Sequence, residues 1–328
     1  MNRDKLTRRL GNLLGVKNWN RLQMRLKFHQ YFHQLYTGKG KGQPARCYVY
    51  IADGRTAHGG ISDRLRGIIS VYQYCKSRNI PFRINFTSPF NLDMFIVPNR
   101  YDWELKEGEF VRNKSVGFRF FNSYSHIDED KEDYFSLLDS KKRQVHCYTN
   151  VTIDEPNMHV YFEELFKPSK VLQDALDKCH QSVKRRGYVS ITFRFQDLLG
   201  DLHERYATEL GSKEDKEDYI SHCLSAIERV YEKNKDKISK VLVTADSQIF
   251  LERAKKLPYV YVVPGEITHI DFAGDKGGIA HIKDFLDMFM ISGANHVYFY
   301  SYGRMYGASR FAKTAALIGG KTFTVLRG

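Results

Sequence analysis

The sequence predicts an α/β fold with two domains, the second of which contains a doubly wound parallel sheet. The first observation is length, because 328 residues are more than one hydrophobic core usually organises. The second is the regular alternation of short apolar segments with helical segments from Gly187 onward. The third is that these strands are apolar throughout, as parallel strands are when helices cover both faces of a sheet.

Residues 1–45 form a basic arm. They carry ten basic residues and one acidic residue, a net charge of +9 out of +13 for the whole chain. Leucines recur at helical spacing over residues 3–37, and GKGKGQP at 38–44 is typical of a linker. Two interpretations have equal weight: residues 1–40 lie on an anionic membrane, or their helix packs on the body of the protein. No nucleic-acid motif accompanies the charge, so nucleic acid is not an expected partner.

The composition argues against several classes of protein. Mean hydropathy is −0.48, and no apolar run approaches the roughly 18 residues that span a bilayer. The first residues are basic but lack the apolar core of a secretory signal. The five cysteines are scattered without a CxxC pair, so we expect buried thiols rather than disulfides or a zinc site. These features predict a cytoplasmic protein, peripheral on the inner face of the membrane if the arm binds lipid.

Residues 46–185 are predicted to form the first domain. RCYVYIAD at 46–53 is a strand, the loop GRTAHGG follows, and apolar residues at helical spacing from Ile61 to Cys75 indicate a helix. PFRINF at 81–86 completes a βαβ unit. Residues 87–140 are predicted to be irregular. A strand follows at 146–153 and a helix at 168–179, and the basic residues at 184–186 lie at the expected domain boundary.

Residues 186–328 are predicted to form the second domain. Its strands are predicted at 188–195, 240–246, 259–263, 296–300 and 321–326. Its helices are predicted at 213–233, 247–256, 279–292 and 307–318. Ligands of such sheets bind beyond the carboxyl ends of the strands, so the residues at those ends are the candidates for a binding site.

Arg194 lies at the end of the first of these strands. An arginine on an apolar strand is costly unless it has a partner. At this edge its planar fork can bind a diphosphate through two charge-assisted hydrogen bonds. The alternative is a structural ion pair with Asp197 or Asp201, and we favour phosphate binding.

Two other strand ends carry polar or small residues. Asp246 and Ser247 follow the second strand. Ser247 can cap the next helix, whereas Asp246 can accept hydrogen bonds from a base or a ribose, and the two interpretations have equal weight. After the fourth strand, the small residues from Gly307 to Ser309 begin the last predicted helix, where backbone N–H groups and the dipole favour a phosphate. Arg310 adds positive charge there.

The segment HGGISDRLRG at 58–67 places two glycines where a strand of the first domain passes into its helix. It has neither the GK[ST] of a P-loop nor the GxGxxG of a dinucleotide site. The glycines allow close approach of a ligand to the backbone, and Arg64 or Arg66 can face that ligand.

These blocks resemble the two-domain (GT-B) fucosyltransferase superfamily, which includes rhizobial nodulation fucosyltransferases, core α1,6 and α1,2 enzymes and protein O-fucosyltransferases. HGGISDRLRG is similar to its glycine-rich loop, TFRFQD to its H-x-R-x-x-D, and VTADSQIF to its TDD/ADS element. KDFLDMFMISGANHVYFYSYGRMYGASRFAKTAALIGG resembles its closing helix, strand, serine-rich loop and alanine-rich helix. The resemblance covers most of residues 46–328. Thr192 replaces the family's histidine and Phe195 stands where a second arginine is frequent, which leaves the donor sugar open.

The resemblance implies two Rossmann-type domains facing a central cleft, with residues 46–185 on the acceptor side and residues 186–328 binding the donor. It implies an inverting glycosyltransferase that needs neither a metal nor a cofactor. The enzyme would transfer fucose from GDP-fucose to a glycan, either a surface polysaccharide or a lipid-linked oligosaccharide. Arg194 is the implied catalytic group at the β-phosphate. The implied donor-binding residues are Gly59, Gly60, Arg64, Asp246, Ser247, Asp287, Ser301, Tyr302, Gly303, Ser309, Arg310 and Phe311.

A direct displacement benefits from a base near the acceptor hydroxyl, for which Asp63, His58 and Glu104 in the first domain are the candidates. Three other functions stay open. The chain can be a transferase for another nucleotide sugar, a non-catalytic nucleotide- or glycan-binding protein, or a basic nucleic-acid-binding protein whose binding would depend on salt.

Overall fold

The computed structural model describes residues 44–55, 58–121, 134–183, 186–201, 209–267 and 278–328, together with Leu22 and Leu26. The arm predicted at 1–45 therefore lies almost wholly outside the described residues. Leu22 and Leu26 are helical, and they are 40% and 55% exposed.

Strands and helices alternate along most of the described chain. The strands are Cys47–Ala52 (β1), Phe82–Phe86 (β2), Ile96–Pro98 (β3), Gly117–Phe120 (β4), Gln144–Tyr148 (β5), Phe166–Pro168 (β6), Tyr188–Phe193 (β7), Lys240–Ala245 (β8), Val260–Tyr261 (β9), Val297–Ser301 (β10) and Phe323–Arg327 (β11). The α-helices are Ile61–Ser77 (α1), Tyr134–Leu138 (α2), Met158–Leu165 (α3), Lys170–Val183 (α4), Lys213–Asn234 (α5), Gln248–Ala254 (α6), Ile282–Ser292 (α7) and Arg310–Ile318 (α8). Leu92–Met94 and Gly278–His281 are 3-10 helices.

Strands β1, β2, β4 and β5 form a parallel sheet in the order β2-β1-β5-β4. The predicted βαβ unit is confirmed, because α1 connects the neighbouring parallel strands β1 and β2. A Cβ atom on Gly67 of α1 would lie 1.6 Å from the carbonyl oxygen of Thr149, so this close contact requires glycine. A smaller core around Val49 and Ile51 includes Val111, from outside the sheet.

Strands β7 to β11 form a five-stranded parallel sheet in the order β11-β10-β7-β8-β9. On one face, residues of α5 and α6 share a core with β7 and β8. Phe250 of α6 is fully buried, with its ring centroid 4.8 Å from that of Phe193 in β7. Burial of such a ring contributes about 2–3 kcal/mol. Helices α7 and α8 pack on each other and contact β8 and β10, which confirms the predicted doubly wound parallel sheet.

The chain divides into two compact units. One comprises the residues up to Leu92 and Pro98–Glu155, and the other comprises Asp93–Val97 and Pro156–Gly328. The sequence places the boundary near residue 185, whereas α3 and α4 fall in the second unit because they pack on α8 and α7, respectively. Residues 93–97 belong there too, because β3 pairs with β6.

Several boundaries differ from the predicted ones. The strand predicted at 146–153 is β5, at 144–148. The strand predicted to reach residue 195 ends at Phe193, because the chain turns at Gln196, which has a φ of +58°. The region predicted to be irregular contains β3 and β4, and α3 has no counterpart in the prediction.

The cysteines match their prediction: all five are buried and none forms a disulfide. Burial raises the pKa of the Cys47 thiol to about 11, which disfavours the reactive thiolate. Among the described helices, none combines the length and the apolar character that crossing a bilayer requires.

Candidate functional site

The carboxyl ends of three neighbouring strands meet in the second sheet. The register places Phe193 of β7 between Tyr300 of β10 and Ala245 of β8. The residues that follow β7 and β8, Arg194 and Asp246, therefore lie side by side at the edge where ligands of such sheets bind.

Asp246 holds the turn after β7 with both of its carboxylate oxygens. Oδ1 accepts the backbone N–H of Phe195 at 2.7 Å, and Oδ2 accepts that of Gln196 at 2.8 Å. Oδ2 also lies 3.1 Å from Nη1 of Arg194. Since one carboxylate binds two backbone donors and the guanidinium, Asp246 fixes the direction in which Arg194 leaves the sheet.

Arg194 is the candidate anion-binding group of this edge. Its side chain is 28% exposed, so the guanidinium is only partly desolvated while it contacts Asp246. This partial burial strengthens its attraction for an anion relative to bulk water. Asp201, one of the structural partners considered for it, accepts instead from the Ser247 hydroxyl at 2.9 Å and from Ile249 N–H at 2.8 Å.

The loop from Ser301 to Tyr306 folds back over the same edge. The N–H of Met305 donates to the carbonyl of Tyr302 at 2.9 Å, and the N–H of Tyr306 donates to the carbonyl of Arg194 at 3.2 Å. The Ser301 hydroxyl donates to the Met305 carbonyl at 3.5 Å. The loop after β10 and the turn after β7 are therefore joined directly.

Helix α8 begins later than predicted. Its first residue is Arg310, and Gly307 lies outside the helix, because the side chain of Ser309 is the cap that accepts the N–H of Ala312 at 3.1 Å. The first N–H groups of a helix have no partner within it, and together with the dipole they favour an anion. Ser309, Arg310 and Phe311 therefore supply one helix N-terminus at this edge.

Two other predicted residues have structural contacts. Ser247 caps α6, with its oxygen accepting the N–H of Phe250 at 3.2 Å. Asp287 lies in α7, where Oδ2 accepts from Nζ of Lys283 at 2.8 Å; the side chains are 13% and 4% exposed. The Oδ1 atom of Asp287 is buried and has no hydrogen-bond partner among the described residues. Burial raises the pKa of Asp287, and the positive charge of Lys283 acts in the opposite direction.

The glycine segment of the first unit is held by Arg64. This side chain is only 3% exposed; Nε donates to the carbonyl of Gly59 at 2.9 Å, Nη1 donates to the carbonyl of Ser88, and the guanidinium lies 4.9 Å from the centre of the Phe86 ring. Gly60 is the N-cap residue of α1. Arg64 therefore links the loop that contains Gly59 to the loop that contains Ser88 in the first unit.

The three candidate bases have different surroundings. His58 is 1% exposed, its Nε2 lies 3.7 Å from Oδ1 of Asp53, and its carbonyl accepts from the Tyr148 hydroxyl. Asp63 is paired with Arg66 in the first turns of α1. Glu104 is exposed and forms a bridge beside Ile84, in the middle of the edge strand β2.

Arg194, Asp246 and the loop after β10 are therefore joined at the carboxyl edge of one sheet, whereas Asp287 lies in α7, in contact with Lys283. Three side chains that contact candidate residues carry no motif of their own: Asp53 beside His58 in the first unit, and, in the second, Tyr219 beside Arg304 and Lys283 beside Asp287. Only Asp53 has a sequence signal, since it ends the first strand. No group of three or more His, Cys, Asp or Glu residues with the geometry of a metal site occurs in the part of the chain that the structure describes.

No protein-family model matches this sequence, and no curated protein matches it. Solved structures do share its fold. With fucosyltransferase NodZ from Bradyrhizobium the identity is 16%, the match covers 84% of this chain and 94% of that chain, and the TM-score is 0.54. NodZ α-1,6-fucosyltransferase soaked with GDP-fucose is 15% identical; the match covers 84% of this chain and 92% of that chain, with a TM-score of 0.53. An Arabidopsis thaliana FUT1 mutant in complex with GDP is 12% identical; the match covers 91% of this chain and 73% of that chain, with a TM-score of 0.55. The chain thus has the GT-B fold of these fucosyltransferases.

Proposed function

We propose that the protein is a glycosyltransferase that transfers fucose from GDP-fucose to a glycan. The observation that carries the proposal is Arg194, fixed by Asp246 at the carboxyl edge of the second sheet. Its support is a fold shared with NodZ, which was soaked with GDP-fucose in one solved structure. A preorganised cation at a ligand-binding edge is suited to a diphosphate leaving group.

In the proposed reaction the acceptor hydroxyl attacks the anomeric carbon as the bond to the diphosphate breaks, so the configuration inverts. Negative charge then develops on the departing GDP. Arg194 and the N-terminus of α8, capped by Ser309, would stabilise that charge without a metal ion. The reaction requires no cofactor besides the donor.

We propose that a base of the first unit takes the proton of the acceptor hydroxyl. Asp63 is one candidate, with a side chain that is 12% exposed and engaged by Arg66. His58 is another, with a buried ring that lies 3.7 Å from the carboxylate of Asp53, and Glu104 is the third. Gly59 and Gly60 would supply close backbone contacts to the donor, whereas Arg64 would act indirectly by holding that loop.

For donor selectivity we propose Asp287. Its Oδ1 atom is buried and accepts no hydrogen bond from the described residues, and a carboxylate oxygen suits the N–H groups of guanine. Lys283 opposes the burial that raises the pKa of this carboxylate. Uracil presents a single ring N–H, so GDP should be preferred over UDP.

The test is thermal unfolding with GDP, UDP and ADP, followed by a transfer assay in which mass change on a glycan library reports the product. We expect stabilisation by GDP and a mass gain of one deoxyhexose. Stabilisation by UDP but not by GDP would refute the fucosyl donor. A protein that binds GDP and modifies no glycan would refute the enzyme assignment, and salt-dependent RNA binding without a nucleotide response would support a different class.

We propose that the basic arm holds the enzyme on the cytoplasmic face of a membrane, where lipid-linked acceptors reside. Leu22 and Leu26 are one helical turn apart and exposed, and the +9 charge of residues 1–45 suits anionic lipid. Deletion of residues 1–40 should abolish sedimentation with vesicles that contain phosphatidylserine. Undiminished sedimentation of the truncated protein would disprove this role.

A further inference from the structure

Tyr219 supports the loop after β10 from the neighbouring helix. It lies in the second turn of α5, is nearly buried, and its hydroxyl accepts the backbone N–H of Arg304 at 2.7 Å. No other feature of the proposed reaction uses this side chain.

The loop is shaped around that hydroxyl. Gly303 has a φ of +52°, and a Cβ atom at this position would lie 2.4 Å from the Tyr219 oxygen and 3.0 Å from Cζ. The loop therefore approaches the helix as closely as a residue without a side chain allows.

The flanking residues of the loop make matching contacts with α5. The ring of Tyr302 packs edge-on against that of Tyr219 with centroids 5.1 Å apart, and its hydroxyl donates to Asp218 at 3.2 Å. The side chain of Met305 is buried, with its sulfur 3.7 Å from that of Cys223. Tyr219 is thus the centre of a short interface between α5 and the 302–306 loop.

This interface reaches Arg194 through the backbone, since the N–H of Tyr306 donates to the carbonyl of Arg194 at 3.2 Å. We propose that Tyr219 is a positioning residue for donor binding: it holds the 302–306 loop, and the loop holds the turn that carries Arg194. The inference rests on the proposed function, because it assumes that Arg194 binds the diphosphate of the donor.

Loss of the hydroxyl would remove the hydrogen bond between Tyr219 and the Arg304 N–H and would loosen the loop. A typical net hydrogen bond corresponds to about a 3- to 10-fold change in an equilibrium constant. We therefore expect Tyr219→Phe to weaken GDP binding by about that factor, while the retained ring keeps the packing against Tyr302.

The experiment compares Tyr219→Phe with Tyr231→Phe by titration calorimetry with GDP and by thermal unfolding. Tyr231 lies on the same helix about 18 Å further along, stacked on Tyr259, so its hydroxyl is a matched control. Weaker GDP binding by Tyr219→Phe alone supports the proposal. Wild-type affinity in Tyr219→Phe overturns it and leaves the proposed function intact. Failure of the wild-type protein to bind GDP overturns both.

A double-mutant cycle with Gly303→Ala separates positioning from a general loss of stability. The added methyl group meets the Tyr219 hydroxyl, so Gly303→Ala should impair donor KM less in the Tyr219→Phe background than in the wild-type background. Additive effects on KM, or effects confined to the unfolding temperature, would show that Tyr219 is only structural.

Discussion

Arg194 and Arg64 lie at corresponding edges of two similar parallel sheets, yet their surroundings differ. Arg194 is 28% exposed, and its Nη1 is anchored to the carboxylate of Asp246. Arg64 is 3% exposed, donates to the carbonyls of Gly59 and Ser88, and lies on the ring of Phe86.

The difference shows that the hydrogen-bond partners of an arginine determine whether it can also bind a ligand. Backbone carbonyls of Gly59 and Ser88 accept from Arg64 and tie two loops together, so we expect a structural role for it. The carboxylate of Asp246 also balances the charge of Arg194, and part of the Arg194 side chain remains exposed to solvent. A ligand can therefore reach Arg194, whereas it would have to displace protein contacts to reach Arg64.

The largest effect is expected at Arg194. Arg194→Ala should lower kcat for transfer from GDP-fucose by roughly 10²- to 10³-fold, up to about 4 kcal/mol, because the charge on the leaving diphosphate loses its main donor. Steady-state kinetics with a saturating acceptor measure this effect.

Arg253→Ala is the matched control for that loss. Arg253 forms a two-point ion pair with Glu217 in the same unit, with both distances 3.0 Å, and both side chains are well exposed. Such a surface pair contributes at most about 1 kcal/mol to stability, so its activity should be unchanged. If Arg194→Ala and Arg253→Ala had the same kcat, Arg194 would have no special role in transfer. The functional contrast between Arg194 and Arg64 would then be lost.

The next effect tests a third cation, Lys283, which is buried like Arg64 but paired with a carboxylate like Arg194. Lys283→Met should cost about 3 kcal/mol of unfolding free energy, because it leaves Asp287 buried and unpaired. The double variant with Asp287→Leu should recover most of that loss and still bind GDP less tightly. Denaturant unfolding and calorimetry measure the two quantities. Full GDP affinity in the double variant would exclude Asp287 from the donor site.

The same pair gives a pH dependence. Burial raises the pKa of Asp287 above its unfolded value, with Lys283 opposing the shift. The folded state thus binds this proton more tightly than the unfolded chain does. The associated stability is complete below the unfolded pKa and is lost as the pH rises through the folded pKa. Removing both charges should flatten the dependence of Tm on pH between those two values, and an unchanged slope would contradict the shift.

Arg64→Met should give a smaller effect, and it should lower stability rather than catalysis, unlike Arg194→Ala. Two partly buried carbonyls would lose a charged donor, at a cost of about 2 kcal/mol in stability, while GDP affinity should change little. Thermal unfolding and GDP titration of one preparation measure both. A large loss of affinity with normal stability would mean that Arg64 contacts the donor directly.

The sequence predicts the position of Arg194 but not its partner. Apolar alternation and the rule for strand ends lead to Arg194 and Asp246 separately. Their contact depends on β7 and β8 being neighbours in register, with Phe193 beside Ala245, which no local pattern encodes. The contact of Tyr219 with Arg304 depends likewise on where α5 packs.

The contacts of the buried Arg64 side chain were likewise not predictable from the sequence. The pattern HGGISDRLRG indicates a helix start and available charge, but the partners of this arginine come from Phe86 and Ser88, beyond the next strand. Element types, which follow from periodicity within a short window, were predictable; side-chain partners from distant segments were not. The start of α8 was only partly predictable. Ser309 is a good N-cap by sequence, but the small residues from Gly307 onward also fit a helix start at 307.

The smallest effect concerns that cap. Ser309→Ala and Ser212→Ala each remove an N-cap hydroxyl, from α8 and α5 respectively, and each should cost about 1 kcal/mol in stability. Only Ser309→Ala should also weaken GDP binding, by a few fold, because fraying of the first turn of α8 disperses the N–H groups that are proposed to bind the phosphate. If both variants bind GDP equally well, the α8 N-terminus does not hold the phosphate, and the anion site consists of Arg194 and the 302–306 loop alone.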